Sequence, residues 1–454
     1  MSTRVLVPSG VLGLGFDSQA LKRGLELRPD IICIDGGSTD SGPFYLGTGS
    51  SKYAHEIYKS EWRELMIARE RGGIPLVLSS CGTCGTNSMV DWMYELTKEI
   101  AKSLKQNIKV ALLYSDQSIE YVTEAFNARK LSELNPAPKL NNEQLSKFSN
   151  IVALAGAEQI TEALNTGADI ILAGRATDTA IIAALPLKNG DSSGGAWHGA
   201  KIAECGAFCS TVPNSGVILV DFDSTGFTVE PMALEARCTP DSVSAHMLYE
   251  NVDPFILYEP GGYLDVTNAT YTALSDRKVR VEGAKWVPSA DYTVKLESAY
   301  VSGYQTITMV IVRDARYVKD IKVWVAKLTK FLIKKIEINT DLFLNDYSLD
   351  FHLIGINSAL GELETEVIYP VEVGVQLVVT ASNQKIATEL SKLINPYILH
   401  FPLTDTEPLP TFAFPYSPAQ IDRGAFYEFG LNHVMSLKEP MDCFQLKLHE
   451  LSYD

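Results

Sequence analysis

Acidic, hydroxyl and small residues gather at three points where a short apolar run ends. The first is Asp35-Gly-Gly-Ser-Thr-Asp-Ser-Gly-Pro43, after Ile31-Ile-Cys-Ile34. Its Asp35 and Asp40 could exchange protons with a substrate or hold a divalent metal. The amides of Gly36, Gly37, Ser38 and Thr39 could form a nest for an anion. The plainer alternative is a turn whose aspartates cap their own backbone. The second is Ser79-Ser-Cys-Gly-Thr-Cys-Gly-Thr-Asn87, after Pro75-Leu-Val-Leu78. Ser80, Cys81 and Gly82 are substrate-contact candidates there. A thiol at a helix start can have its pKa lowered, so Cys81-Gly-Thr-Cys84 is open to a redox or nucleophilic role. A tight turn of small residues is the competing explanation, and no second cysteine pair completes a zinc site. The third is Ala173-Gly-Arg-Ala-Thr-Asp-Thr179, after Asp169-Ile-Ile-Leu172. A guanidinium beside helix N-terminal amides suits a carboxylate or phosphate, which makes Arg175 the candidate anion anchor. Asp178 either holds Arg175 in place or acts as a general base.

Further candidates lie downstream. Trp197-His198 follows a Gly-rich loop and opens a helical pattern carrying Glu204 and Cys205. His198 is the strongest histidine candidate for proton transfer, with Glu204 as a second catalytic candidate. His246, in a segment with Pro at a helix start, and Glu259, in Tyr258-Glu-Pro-Gly-Gly-Tyr263, could also face the site. The first turn is neither Gly-x-x-x-x-Gly-Lys-Ser/Thr nor Gly-x-Gly-x-x-Gly, so ATP and NAD lack support. No cofactor is assigned; a divalent metal on Asp35 or Asp40 is the one candidate.

These turns need elements that bring them to one edge. Val5–Val7, Ile31–Ile34, Leu76–Leu78, Val110–Leu113, Ile151–Leu154 and Ile170–Leu172 are short and apolar on both faces, as covered parallel strands are. Amphipathic helix candidates separate them: Asp17–Leu27, Glu61–Arg71, Met89–Leu104, Gln117–Leu131 and Glu158–Thr166. Ligands bind such sheets at the carboxyl edge of the strands. The expectation is an α/β fold: an N-terminal, parallel, doubly wound, Rossmann-like domain over residues 1–214. After about residue 215 the pattern alternates. Gly216–Asp223 and Gly226–Glu230 suggest a hairpin. Tyr292–Glu297, Thr306–Val312 and Val371–Val379 suggest strands, and Val318–Ile333 and Ala381–Leu393 helices. Residues 215–454 are expected to form an α+β portion.

The 454 residues are 46% hydrophobic and 21% charged, as in ordinary globular chains. A net charge of −16 without a basic block argues against nucleic acid and membrane as partners. No leader is visible and no stretch is long and apolar enough to cross a membrane. Seven scattered cysteines suit a reducing compartment, and the expected location is the cytoplasm. A homo-oligomer is expected because symmetric assemblies are common.

Several segments together resemble the acyclic terpene utilisation family of the AtuA type. They are Asp35-Gly-Gly-Ser-Thr-Asp, Leu172-Ala-Gly-Arg-Ala-Thr-Asp-Thr-Ala180, Glu204-Cys-Gly-Ala207, Leu248-Tyr-Glu-Asn-Val-Asp-Pro254, Tyr258-Glu-Pro-Gly-Gly, Tyr292–Tyr304 and Phe414-Pro-Tyr-Ser-Pro418. The resemblance implies a cytosolic catabolic protein, linked for some members to the breakdown of branched acyclic terpenoids. It implies no agreed catalytic residues. The expected function is an enzyme acting on a small carboxylate or its CoA ester by lyase, hydratase or isomerase chemistry. Two alternatives stay open: a non-catalytic ligand-binding or assembly subunit, and a hydrolase with Cys81 as nucleophile.

Overall fold

The computed structural model describes residues 2–366 and 370–453. The chain divides into two compact units, residues 1–300 with 429–454, and residues 301–428. The expected boundary at 214/215 falls inside the first unit. The reason is strand pairing: Ile218–Phe222 lies antiparallel beside Thr3–Val7, so the chain returns to the sheet it began.

Ten strands form the main sheet of the first unit. They are β1 (Thr3–Val7), β2 (Ile31–Asp35), β3 (Leu76–Ser79), β4 (Ile108–Tyr114), β5 (Ile170–Ala173), β6 (Ile218–Phe222), β7 (Gly226–Pro231), β8 (Thr270–Ala273), β9 (Val279–Glu282) and β10 (Gln445–Leu451). Their spatial order is β8-β9-β7-β6-β1-β2-β3-β5-β4-β10. The five central strands, β1-β2-β3-β5-β4, are parallel. Antiparallel strands flank them on both sides, so the sheet is mixed rather than wholly parallel. The expected hairpin is β6–β7. Ile151–Leu154 does not join the parallel set. It belongs to Phe148–Ala153, which pairs antiparallel with residues 296–300. A short apolar run marks a buried strand but not its partner.

Alternation along the parallel strands sorts two cores. Leu6, Ile32, Leu78 and Leu172 pack with Trp62, Leu65 and Val90 from helices His55–Gly72 and Asn87–Leu104 on one face. Val5, Cys33, Val77 and Ile171 pack on the other with Ile160, Ile182 and Trp197 from helices Ala157–Asn165, Ala180–Asn189 and Ser193–Ala203. Both faces are covered, which is why these strands read as continuous apolar runs. The parallel strands therefore end together on one edge, where the turns lie.

In the second unit, residues 304–312 pair with Val373–Ala381, which pairs in turn with Tyr347–Ile354. Helices Ile321–Asn339 and Gln384–His400 cover this sheet through Trp324, Leu328, Leu390 and Ile394.

Candidate active site

The three turns pack on one another through their backbones. The Gly36 amide donates to the Ser79 carbonyl (2.8 Å), the Ser80 amide to Gly174 (2.9 Å) and the Arg175 amide to Gly85 (3.0 Å). A Cβ at Gly36 would stand 2.6 Å from the Ser80 carbonyl oxygen, and one at Gly85 2.2 Å from the Arg175 amide nitrogen. Small residues are thus required by turn-on-turn contact as well as by any ligand. Two amides of the expected anion nest, those of Gly36 and Gly37, are engaged internally. Besides Gly36, the Gly37 amide donates to Asp35 Oδ2 (3.0 Å) and the Asp40 amide to Ser38 Oγ (3.0 Å).

A cleft of about 460 Å³ opens beside these turns, and Asp35, Ser38, Asp40 and Asp178 line it. Asp35 ends β2 and is only 4% exposed. Its carboxyl also accepts from the Ser79 hydroxyl (2.6 Å). Burial, reinforced by the charge of Asp178, pushes Asp35 up to about 8, against the pull of Ser79, Arg175 and Gly37. The direction favours the protonated carboxyl. Asp178 is about a third exposed; burial raises its pKa while Arg175 pulls it down. Asp40 is exposed on the cleft rim.

Arg175 is placed among protein acceptors. Its Nε donates to Glu297 Oε2 (3.1 Å), and its Nη1 to Ser80 Oγ (3.1 Å), the Ala176 carbonyl (3.2 Å) and Asp178 Oδ1 (3.4 Å). Glu297 also accepts from Thr39 (3.1 Å) and Lys295 (3.0 Å). Burial opposes the charge on Glu297, but Arg175 and Lys295 outweigh it and hold the carboxyl at about 2. Arg175 is thus the centre of a buried ion-pair network, and the expected free anion anchor is already occupied. Sequence reasoning missed Glu297. The available signal was Lys295 and Glu297 alternating with Val294 and Leu296 on one strand, two charges where a half-buried strand has few.

Three other expectations change. Cys81 is fully buried and Cys84 is 1% exposed; burial raises both thiols, and neither lines the cleft. Gly82 sits in a left-handed turn against Met89 and is likewise not a lining residue. His198 is fully buried, edge-on to Phe227 and Tyr271, with Nε2 3.1 Å from the Tyr271 hydroxyl. Burial lowers it to about 3, so it is a neutral core residue and not the expected proton carrier. The Gly-rich loop before it serves close packing: a Cβ at Gly194 would lie 2.2 Å from the Ala284 carbonyl oxygen.

The opposite wall carries Glu204 and Cys205, with Phe208, Tyr249 and Glu250. Glu204 follows helix Ser193–Ala203, is 9% exposed, and accepts a short hydrogen bond from Lys201. Burial raises Glu204 to about 8 despite Lys201. Lys201 was a second missed residue, being one turn away on the same helix. Helix Pro240–His246 is fixed by a Thr239–Ser242 capping box, and Ser242 donates to the Cys209 carbonyl (2.8 Å). That bond brings His246 beside Glu204 and Cys205: one ligand atom from each lies within 4.8 Å of the others. Glu259 accepts from Thr179 (2.5 Å), and burial raises it to about 7.

The family model described as "Acyclic terpene utilisation family protein AtuA" matches residues 48–406. No curated protein and no solved structure matches the chain. No helix among the described residues is long and apolar enough to cross a membrane.

Proposed function

The chain belongs to the acyclic terpene utilisation family, and from that premise we propose that it is an enzyme moving a proton on a branched acyclic acyl compound. The reaction class is hydration, dehydration or double-bond isomerisation, within the lyase and isomerase types. The observation that carries the reading is the pair Asp35 and Asp178. Both line one cleft, the charge of Asp178 opposes ionisation of Asp35, and only Asp178 bonds directly to Arg175. Environments that separate two carboxyls in this way assign an acid and a base. Asp35 is the acid, donating to the alkene carbon or the departing hydroxyl. Asp178, held by Arg175, is the base that takes the proton from the neighbouring carbon in dehydration or isomerisation, and from the attacking water in hydration. The Ser79 hydroxyl can accept as well as donate, so it accommodates Asp35 in both states.

The substrate follows from the lining. Val11, Leu14 and Phe208 offer an apolar track for a branched chain. Asp40, Asp178 and Glu250 repel a free carboxylate, while Arg175 and Lys201 are paired with protein acids. A CoA thioester, uncharged at its acyl end, suits this wall better than a free acid. The test is incubation with branched enoyl- and 3-hydroxyacyl-CoA esters, and with the free acids, in deuterated water. Mass spectrometry should show deuterium entering the acyl chain, slowed by about 10²–10⁴-fold in Asp35→Asn. Incorporation at the same rate in the variant, or none into any branched acyl compound, contradicts the reading.

A further inference from the structure

We propose that Glu204, Cys205 and His246 form a binding site for a divalent transition metal of the zinc type, with an open position facing the cleft. The site stands apart from the acid–base reading, since Asp35 and Asp178 take no part in it.

The donors argue for this ion class. An imidazole, a thiol and a carboxylate are the N, S and O ligands that borderline-soft ions accept, whereas Mg²⁺ and Ca²⁺ take oxygen. Three protein ligands leave a fourth tetrahedral position, as in catalytic zinc sites. Glu204 and Cys205 themselves line the cleft, so that position is reachable by solvent or substrate. The ligand atoms lie within 4.8 Å of one another. Ligands about 2.0–2.3 Å from a tetrahedral ion are roughly 3.3–3.8 Å apart, so closure needs a shift of about 1 Å.

An independent observation points the same way. His246 is 5% exposed, and its Nε2 has no hydrogen-bond partner. A buried polar atom without a partner costs about 1–3 kcal/mol unless something else satisfies it. Its ring is held in a defined orientation by Tyr249, stacked at 5.4 Å and 12°. Cys205 is fixed equally closely, since a Cβ at Gly10 would stand 2.9 Å from the Cys205 Cα. Lys201, bonded to Glu204, is the outer partner that orients the ligating carboxylate. The thiolate and the Glu204 carboxylate together match the charge of a doubly charged ion. Asp35 and Asp40, the pair expected from sequence, are less suited: both Asp35 oxygens already accept hydrogen bonds within the turns.

The test uses the full-length chain stripped with a chelator and dialysed. Titration with Co²⁺ should give one equivalent bound, with a thiolate-to-cobalt charge-transfer band and the visible absorption of a tetrahedral ion. Zn²⁺ should displace it. Cys205→Ser should abolish the charge-transfer band, and His246→Gln should weaken Zn²⁺ binding by about 100-fold or more, since outer partners alone are worth about 10–100-fold. Cys443→Ser, at a comparably exposed thiol outside the cluster, should change neither. A wild-type chain that stays folded and binds Co²⁺ without the charge-transfer band overturns the proposal. So does Zn²⁺ affinity unchanged in both folded cluster variants.

Discussion

The two walls of the cleft are built on opposite rules. On the turn side, Arg175, Glu297, Asp35, Ser79 and Ser80 engage one another through hydrogen bonds and ion pairs. On the other side, beside Glu204 and Cys205, His246 Nε2 is buried without a partner. The bonded wall is a scaffold that fixes where charge sits. The unsatisfied wall is where a ligand still has bonds to make. Residue types alone do not show this difference, because both walls are rich in acids and small residues.

The largest expected effect falls on the bonded wall. Arg175→Ala leaves the buried Glu297 with Lys295 but without its buried guanidinium partner, and Glu297→Ala leaves the buried Arg175 with only the longer contact to Asp178. Each should lower unfolding free energy by about 3–5 kcal/mol in urea titrations. A loss in either variant no larger than that of an ordinary surface substitution would erase the distinction between the walls.

Next in size is a pH effect. Asp35 is held near 8 when folded, against roughly 3.9 in an unfolded chain. Between those values the unfolded chain has released the proton and the folded one has not, so this group makes stability fall as pH rises from about 4 to about 8. Asp35→Asn should flatten that slope, measured as melting temperature against pH. An unchanged slope would place Asp35 in its ordinary ionised state.

Smaller still is the effect of His246→Phe. It removes an imidazole whose Nε2 has no partner to lose and keeps a ring for Tyr249 to stack on. Metal-free melting should shift little or rise. A drop comparable to that of Arg175→Ala would show that His246 is structural. The mildest test is thiol labelling of the native chain. Cys205 should react, whereas the buried Cys33, Cys81 and Cys84 should react only on unfolding.

The parallel strands were legible because covered strands are apolar on both faces, and the β6–β7 hairpin because Ser-Thr-Gly joins two alternating runs. Two expected strands, Tyr292–Glu297 and Thr306–Val312, are one strand of 21 residues. Gly303 lies within it, so close to Thr380 that a Cβ would stand 2.8 Å from its Cγ2. That Asp35, Asp40 and Asp178 gather at the carboxyl edge was legible from strand ends, whereas Glu204 reaches the same cleft from the end of a helix. The roles of Arg175 and His198 were not. A strand-end Arg looks the same whether its acceptor is a substrate or Glu297, 122 residues away. His198 follows glycines that suggest a ligand loop, but residues 194–203 are all buried.

The account turns on Asp35 being a protonated acid in the cleft at neutral pH. Infrared difference spectra of the chain with ¹³C-labelled aspartate, compared with Asp35→Asn across a pH titration, isolate its carboxyl band. The account predicts a protonated-carboxyl band that persists at pH 7, disappears around pH 8 and is missing in the variant. Loss of that band below pH 5 would contradict it.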